Sequence, residues 1–319
     1  LNHERYALLK RDDLWYDGRA MRKHPVSTIV NFCSNESRFI KACLEQALLF
    51  SSEVIVPVCD HFFDGTPENK GLLEEIYQAF PECLFVEYPF IPQKIPKKIW
   101  KSTDPAHFWH SLSRLIGYSF VDEEIETVLF LDADEVPEGK RFAEWLDSSD
   151  YKQHTALKLA NYWYFREPTN QALRFEDSVV LVQKRALESE ILLKPEERDA
   201  IYNLLPGPKR RNVTGYDGAP MFHHYSWVRT QEEMLRKVRA WGHKGDRNWV
   251  ELVNEEFTAP FRGTDFIHGY SYRSVKPFFD IRLDAPQFTP RGPANVKRLE
   301  NQEILSLIKF KKIWNLLDF

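Results

Sequence analysis

The chain has 319 residues, 43% of them hydrophobic, 28% charged and 14% aromatic, with a formal net charge of −4. That length allows about two domains, or one α/β core with an appended tail, and the weakly acidic balance gives no electrostatic case for nucleic acid as the main partner. Four cysteines (Cys33, Cys43, Cys59, Cys83) show no CxxC spacing, which argues against zinc and a disulfide framework and for a reducing cytoplasm; no apolar run approaches the roughly 20 residues of a membrane span, and no signal-peptide pattern is present.

Residues 1–24 are polar, basic and aromatic without a clean period and read as an N-terminal extension. From Val26 the pattern changes. STIVNF reads as a strand, SNE as a turn, and Phe39, Ile40, Cys43, Leu44, Ala47 and Leu48 recur at helical spacing. EVIVPV (53–58) is a second buried strand, followed by a polar loop and a helix carrying Leu72, Leu73, Ile76, Tyr77 and Phe80. CLFVEY (83–88) is a third strand. A Pro- and Lys-rich loop leads to a helix with Asp104 as N-cap and Pro105 in its first turn.

The fourth strand, Thr127 to Leu131, is an apolar run typical of a strand buried on both faces, and it ends on three carboxylates, Asp132, Asp134 and Glu135. Asp132 and Asp134 lie two apart, so in strand geometry they point the same way. Their repulsion would raise one pKa unless a cation neutralises them, and Mg²⁺ or Mn²⁺ is the natural counter-charge. Strand alternating with helix implies a mostly parallel sheet whose ligands sit at the carboxyl ends of its strands, where Asn35-Glu36, Asp60 and Asp132-Asp134 all fall.

Beyond this point, 155–165 and 178–184 read as two strands separated by a loop, with Asp177 just before the second, and 188–211 as loops on the acceptor side. MFHHYSWV is strand-like, and Thr230 with Glu233 forms a capping box that opens a helix to about Trp241. The expected organisation is an extension over 1–24, a core domain over 25–228, and an aromatic and helical extension over 229–319 packed on the core. The terminal stretch with Ile304, Leu307, Ile308, Phe310, Trp314 and Leu317 beside Lys309, Lys311 and Lys312 is expected to pack on that core, with peripheral contact at a membrane surface as the alternative.

Taken together, STIVNFCSNESRFIKACLEQAL, EVIVPVCDHFFDGTPEN and LSRLIGYSF followed by TVLFLDADE resemble the nucleotide-sugar glycosyltransferases of the GT-A fold, most like the large family 2 group. The likeness covers roughly residues 25–140. It implies an α/β fold, a Rossmann-like and mostly parallel central sheet flanked by helices. It also implies a hexosyltransferase-class enzyme that moves a sugar from a UDP- or GDP-linked donor to a saccharide, lipid-linked or protein acceptor, with inversion. Asp60 would contact the nucleotide base with Asn35 and Glu36 beside it, and Arg114 would reach the donor's phosphates or an acidic neighbour. Asp134 would ligate a divalent cation (Mn²⁺ or Mg²⁺), with Asp132 on the ribose or in the metal shell. A later histidine, His224 rather than His223, would complete that shell. The acceptor-side base would be Asp199, chosen from Glu196, Glu197, Asp199, Asp217 and Asp177.

The rival from the same residues is a haloacid dehalogenase-type phosphatase, since LFLDADEV matches its DxDx(T/V) signature with Asp132 as nucleophile and Asp134 as acid/base. That motif normally opens its domain, whereas three βα units precede it here. A nucleotidyltransferase would need a Gly-rich loop that SNESRF lacks. A non-catalytic sugar- or nucleotide-binding relative is the remaining alternative.

Overall fold

The computed structural model describes residues 23–94, 105–194, 196–240, 245–284 and 286–308. In chain order these form β1 (His24–Asn31), α1 (Ser37–Ala47), β2 (Ser51–Cys59), α2 (Lys70–Ala79), β3 (Leu84–Tyr88), α3 (Pro105–Tyr118), β4 (Thr127–Asp132), β5 (Glu135–Pro137) and α4 (Gly139–Ser148). There follow β6 (Ala156–Phe165), β7 (Glu167–Gln183), α5 (Ser189–Leu192), α6 (Glu197–Leu204), β8 (Lys209–Val213) and β9 (Phe222–Trp227). The last elements are α7 (Gln231–Ala240), α8 (Trp249–Glu256), β10 (Tyr272–Ser274), β11 (Val296–Arg298) and α9 (Asn301–Ile308). The Asp104 cap and the terminal Phe310, Trp314, Leu317, Lys309, Lys311 and Lys312 lie outside the described residues.

The architecture is α/β, as expected. Among the described residues, eleven strands make one sheet in the order β11-β3-β2-β1-β4-β7-β6-β9-β5, with β8 beside β6 and β10 beside β7. From β11 through β4 the pairing is parallel, and β7 then joins β4 and β6 antiparallel. The parallel strands alternate between two cores. Val26, Val30, Val54, Val56, Leu129 and Leu131 meet α1, α2 and α4 on one face, while Ile29, Ile55, Val128 and Phe130 meet α3 on the other. Helices on both faces explain why these strands are near-continuous apolar runs, and each fully buried side chain of this size stabilises by about 1.5–3 kcal/mol. At Gly117 in α3 an added Cβ would lie 2.6 Å from Ile29 Cγ2, so helix and sheet touch through a residue without a side chain.

Two expectations are changed. The loop foreseen between 165 and 178 is absent: β7 is a single 17-residue strand that pairs back on β6 after one residue, Arg166, at φ 60°. Half of β7 is exposed or half-buried, so its sequence carries no apolar alternation to announce a strand. The 188–211 section forms α5, α6 and part of β8 in place of loops. Ile304 and Ile308 of α9 are buried in the core on the α3 side, which places the described part of the terminal stretch on the core. The Thr230 capping box is present: Thr230 N donates to Glu233 Oε2 at 2.9 Å, and Glu233 N donates to Thr230 Oγ1 at 3.3 Å. Among the described residues no helix is long and apolar enough to cross a membrane.

Candidate functional site

The carboxyl ends of the parallel strands open into a cavity of about 1100 Å³, lined by Asn35, Glu36, Asp132, Asp134, Glu197, His224 and Lys237 among others. Its size lies just above the range of roughly 300–1,000 Å³ usual for small-molecule sites. Asn31 of β1 sits in register with Asp132 of β4, which puts the DxD segment at this rim. The short β5 then pairs antiparallel with β9, Glu135 opposite His224 and Val136 opposite His223. Successive residues on a strand face opposite sides, and this separates the two histidines. His224 faces the cavity, with Nε2 3.4 Å from Asp134 Oδ1. His223 faces the interior, bonded to Tyr164 Oη at 2.7 Å and to Glu138 Oε1 at 3.0 Å, where burial lowers its pKa despite the Glu138 carboxylate.

The three carboxylates of the strand end have different partners. Asp132 has one oxygen 3.1 Å from Arg114 Nη2 and the other 3.0 Å from Arg198 Nη2. Glu135, with no exposed side-chain area, accepts from Arg198 Nη1, from Ser178 Oγ and from the Asp132 backbone N–H at 2.8 Å. Asp134 is buried; its Oδ2 lies 3.6 Å from both Arg229 Nη2 and Lys237 Nζ, and its Oδ1 has no hydrogen-bond partner among the described residues. Burial alone would push Asp134 up, but Lys237, His224 and Arg229 outweigh it and hold the carboxyl well below its usual range. Burial likewise lowers the imidazole of His224, yet Asp134 and Glu135 leave it raised overall.

Other expected residues fall in different places. Glu36 lines the cavity and pairs with Arg229 and, at 3.9 Å, with Lys237. Arg114 is buried behind the cavity and takes the acidic-neighbour alternative: it bridges Asp132 and, at 2.8 Å, Glu197. Asp60 is not among the cavity-lining residues; its Oδ1 accepts from Phe90 N–H at 2.7 Å and contacts His61 Nδ1 at 2.7 Å, so it ties the loop after β2. Asp199 is also outside the cavity, paired with Lys158 and largely exposed. Asp177 pairs with Arg211 and Lys158, and Asp217 with Arg141. Of the five carboxylates named as candidate bases, only Glu197 lines the cavity. Burial would raise its pKa, but Arg114, His110 and His107 hold it well below the usual range, which makes it a weak proton acceptor.

Sequence reasoning missed Arg198, Arg229 and Lys237. Arg229 has no exposed side-chain area and donates to Ser226 O (2.8 Å), to Asn35 O (2.9 Å) and to Glu36. Its one local signal is its place just before the Thr230 cap. Cys33 also lines the cavity, but burial and the Glu36 carboxylate push its thiol well up, which disfavours the thiolate that a nucleophile needs.

The depressed carboxyls set a pH dependence. Asp132 is lowered by Arg198 and Arg114 against the opposing effect of burial, and Asp134 and Glu197 are lowered as described. Unfolded carboxyls titrate near about 3.9 for Asp and 4.3 for Glu. The ion pairs therefore contribute fully above those values, and the contribution is lost as pH falls through the lower folded values, where the unfolded chain binds more protons. Melting temperature followed from pH 6 to 3 is expected to fall, and to fall less steeply in Glu197→Gln. Parallel curves would remove Glu197 from this account.

No family model matches the chain, and no curated protein matches it. Solved structures do. The glycosyltransferase GlyE of Streptococcus pneumoniae TIGR4 matches over 73% of this chain and 63% of that one, at 12% identity and a TM-score of 0.36, so the chain spans less than two thirds of that protein's length. The catalytic domain of Drosophila β1,4-galactosyltransferase 7, solved with xylobiose, matches over 74% and 82% at 11% identity and 0.33. Glucosyl-3-phosphoglycerate synthase of Mycobacterium tuberculosis, solved with Mn²⁺, UDP and phosphoglyceric acid, matches over 78% and 86% at 13% identity and 0.35. Overlap this partial leaves the chemistry to be argued from the chain's own residues.

Proposed function

We propose that this protein is a nucleotide-sugar glycosyltransferase that binds a sugar linked to a nucleoside diphosphate and transfers the sugar to an acceptor hydroxyl. The observation that carries this reading is the pairing of the buried Asp134 Oδ1 with His224 Nε2 at 3.4 Å on the wall of the cavity, with no other partner for that oxygen among the described residues. Two donors at adjacent positions of an octahedral cation, each about 2.1 Å from it, lie roughly 3.0 Å apart, within about half an ångström of the spacing of this pair. The pair therefore fits a divalent cation. Among the described residues no group of three His, Cys, Asp or Glu side chains could hold an ion, and the remaining ligands would come from the diphosphate and water, the usual arrangement for Mg²⁺ at phosphates. When bound, the cation supplies Lewis-acid stabilisation of a diphosphate leaving group.

The chain's own residues do the rest. Asp134 presents its carboxylate ionised at neutral pH. His224 ligates only when neutral, so protons compete with the metal. Asp132 is committed to Arg114 and Arg198 through both oxygens, which leaves Asp134 and His224 as the metal pair and makes Asp132 a support of the rim. The same commitment disfavours the phosphatase reading, since a nucleophilic Asp132 would have to break two guanidinium contacts. Asp199 is not retained as the base, because its carboxylate is paired with Lys158 outside the cavity.

The test is thermal unfolding of the protein with UDP, GDP and their sugar conjugates, with and without Mn²⁺. A ligand at about 100 times its Kd stabilises the folded state by about 2.7 kcal/mol, and one nucleoside diphosphate is expected to raise the melting temperature only when Mn²⁺ is present. Release of phosphate from simple phosphomonoesters, with no nucleotide effect, would overturn the reading.

A further inference from the structure

We propose that Lys237 is the residue that takes up the negative charge of the donor's diphosphate, exchanging its contact with Asp134 for the departing phosphate. This rests on the reading above and adds to it a second cation, one supplied by the chain. Two basic side chains lie 3.6 Å from the same oxygen of Asp134, and they are held in different ways. Arg229 is fixed: it has no exposed side-chain area and donates to Ser226 O, Asn35 O and Glu36. Lys237 lines the cavity, and its ion pairs with Asp134 and Glu36, at 3.6 and 3.9 Å, are both longer than a hydrogen bond.

A lysine carries a compact charge on a flexible four-carbon stem, so Lys237 can move toward a phosphate while remaining near the carboxylates that balance it. Arg229 stays and keeps Asp134 from being left unpaired. The two oxygens of Asp134 are thus divided, Oδ1 toward His224 and Oδ2 toward the two cations. A diphosphate lying across this carboxylate would meet the metal pair on one side and Lys237 on the other.

The position of Lys237 is built into α7. The capping box at Thr230 fixes the start of the helix, and Met234 and Val238, buried against Trp227, Trp249 and Val253, fix its rotation. Arg236 and Arg239 line the same cavity from this helix. The negative charge on a leaving diphosphate grows as the glycosidic bond breaks, and a cation at the cavity wall interacts with that charge and not with the base or ribose, so Lys237 is expected to matter more for turnover than for the nucleoside itself.

The test compares Lys237→Ala, Lys237→Gln and Lys237→Arg in the full chain, measuring affinity for UDP and GDP against UMP and GMP in Mn²⁺, together with turnover. Lys237→Ala and Lys237→Gln are expected to weaken diphosphate binding by about tenfold, equivalent to about 1.4 kcal/mol, to leave the monophosphate within about twofold, and to lower kcat further. Lys237→Arg is expected to recover part of the diphosphate affinity. Equal losses for mono- and diphosphate, or unchanged diphosphate affinity in variants whose melting temperature is retained, would overturn the role of Lys237 alone. Wild-type protein that binds neither class of nucleotide would overturn the glycosyltransferase reading and this proposal with it.

Discussion

Asp134→Asn is expected to abolish Mn²⁺-dependent stabilisation by a nucleoside diphosphate and to lower turnover by about 10²–10³-fold, the scale seen when one preorganised electrostatic contact is removed from an active site. The amide keeps the shape of the carboxyl and loses its charge, and with it the attraction for a divalent cation. It also leaves Lys237 and Arg229 facing a neutral group at 3.6 Å, so some loss of stability accompanies the loss of function. Circular dichroism and nucleotide binding measured separately distinguish the two effects. Asp132→Asn is the comparison: both its oxygens are occupied by Arg114 and Arg198, so it is expected to weaken the rim while retaining a metal response. The opposite pattern, metal response lost in Asp132→Asn and kept in Asp134→Asn, would reverse the assignment of the two residues.

Arg198→Ala is expected to destabilise the fold by about 3–5 kcal/mol, the cost of leaving a buried charge without its partner. Arg198 joins Asp132 to Glu135, and Glu135 has no exposed side-chain area in which water could replace the guanidinium. Burial alone would lower the pKa of Arg198, but Asp132 and Glu135 more than compensate and raise it. Adding Glu135→Gln to Arg198→Ala should restore part of the loss in urea unfolding, because the two changes remove one interaction together. A loss under about 1 kcal/mol, as for an exposed pair, would mean that Arg198 contributes little to holding the strand end.

Local features were legible because they depend on neighbours in sequence. The buried runs of β1, β2 and β4 announce strands covered on both faces, the apolar spacing of α1 and α2 announces helices, and Thr230 with Glu233 announces the start of α7. β7 was not legible in full, since the half next to Arg166 is largely outside the core and its residues carry no period. The sequence does not separate the surroundings of Asp199 from those of Glu197 for a related reason. Glu197 opens α6 with a left-handed φ of 53°, so no helical spacing in the sequence shows that it faces the cavity while Asp199 meets Lys158.

By itself the sequence determined that an apolar parallel strand ends on Asp132 and Asp134, with Asn35 and Glu36 at a neighbouring strand end, because strand length, alternation and chain order are local properties. Which carboxylate keeps an oxygen free of guanidinium contacts, and which histidine stands beside it, was decided only by the tertiary structure. The pleat of β9 turns His224 to the cavity and His223 to the interior. Arg198, which joins Arg114 on Asp132, and Arg229, which pairs with Glu36, come from 66 and 193 residues away. Charge pairing over such separations depends on where the folded backbone places each side chain, and no spacing in the sequence encodes it.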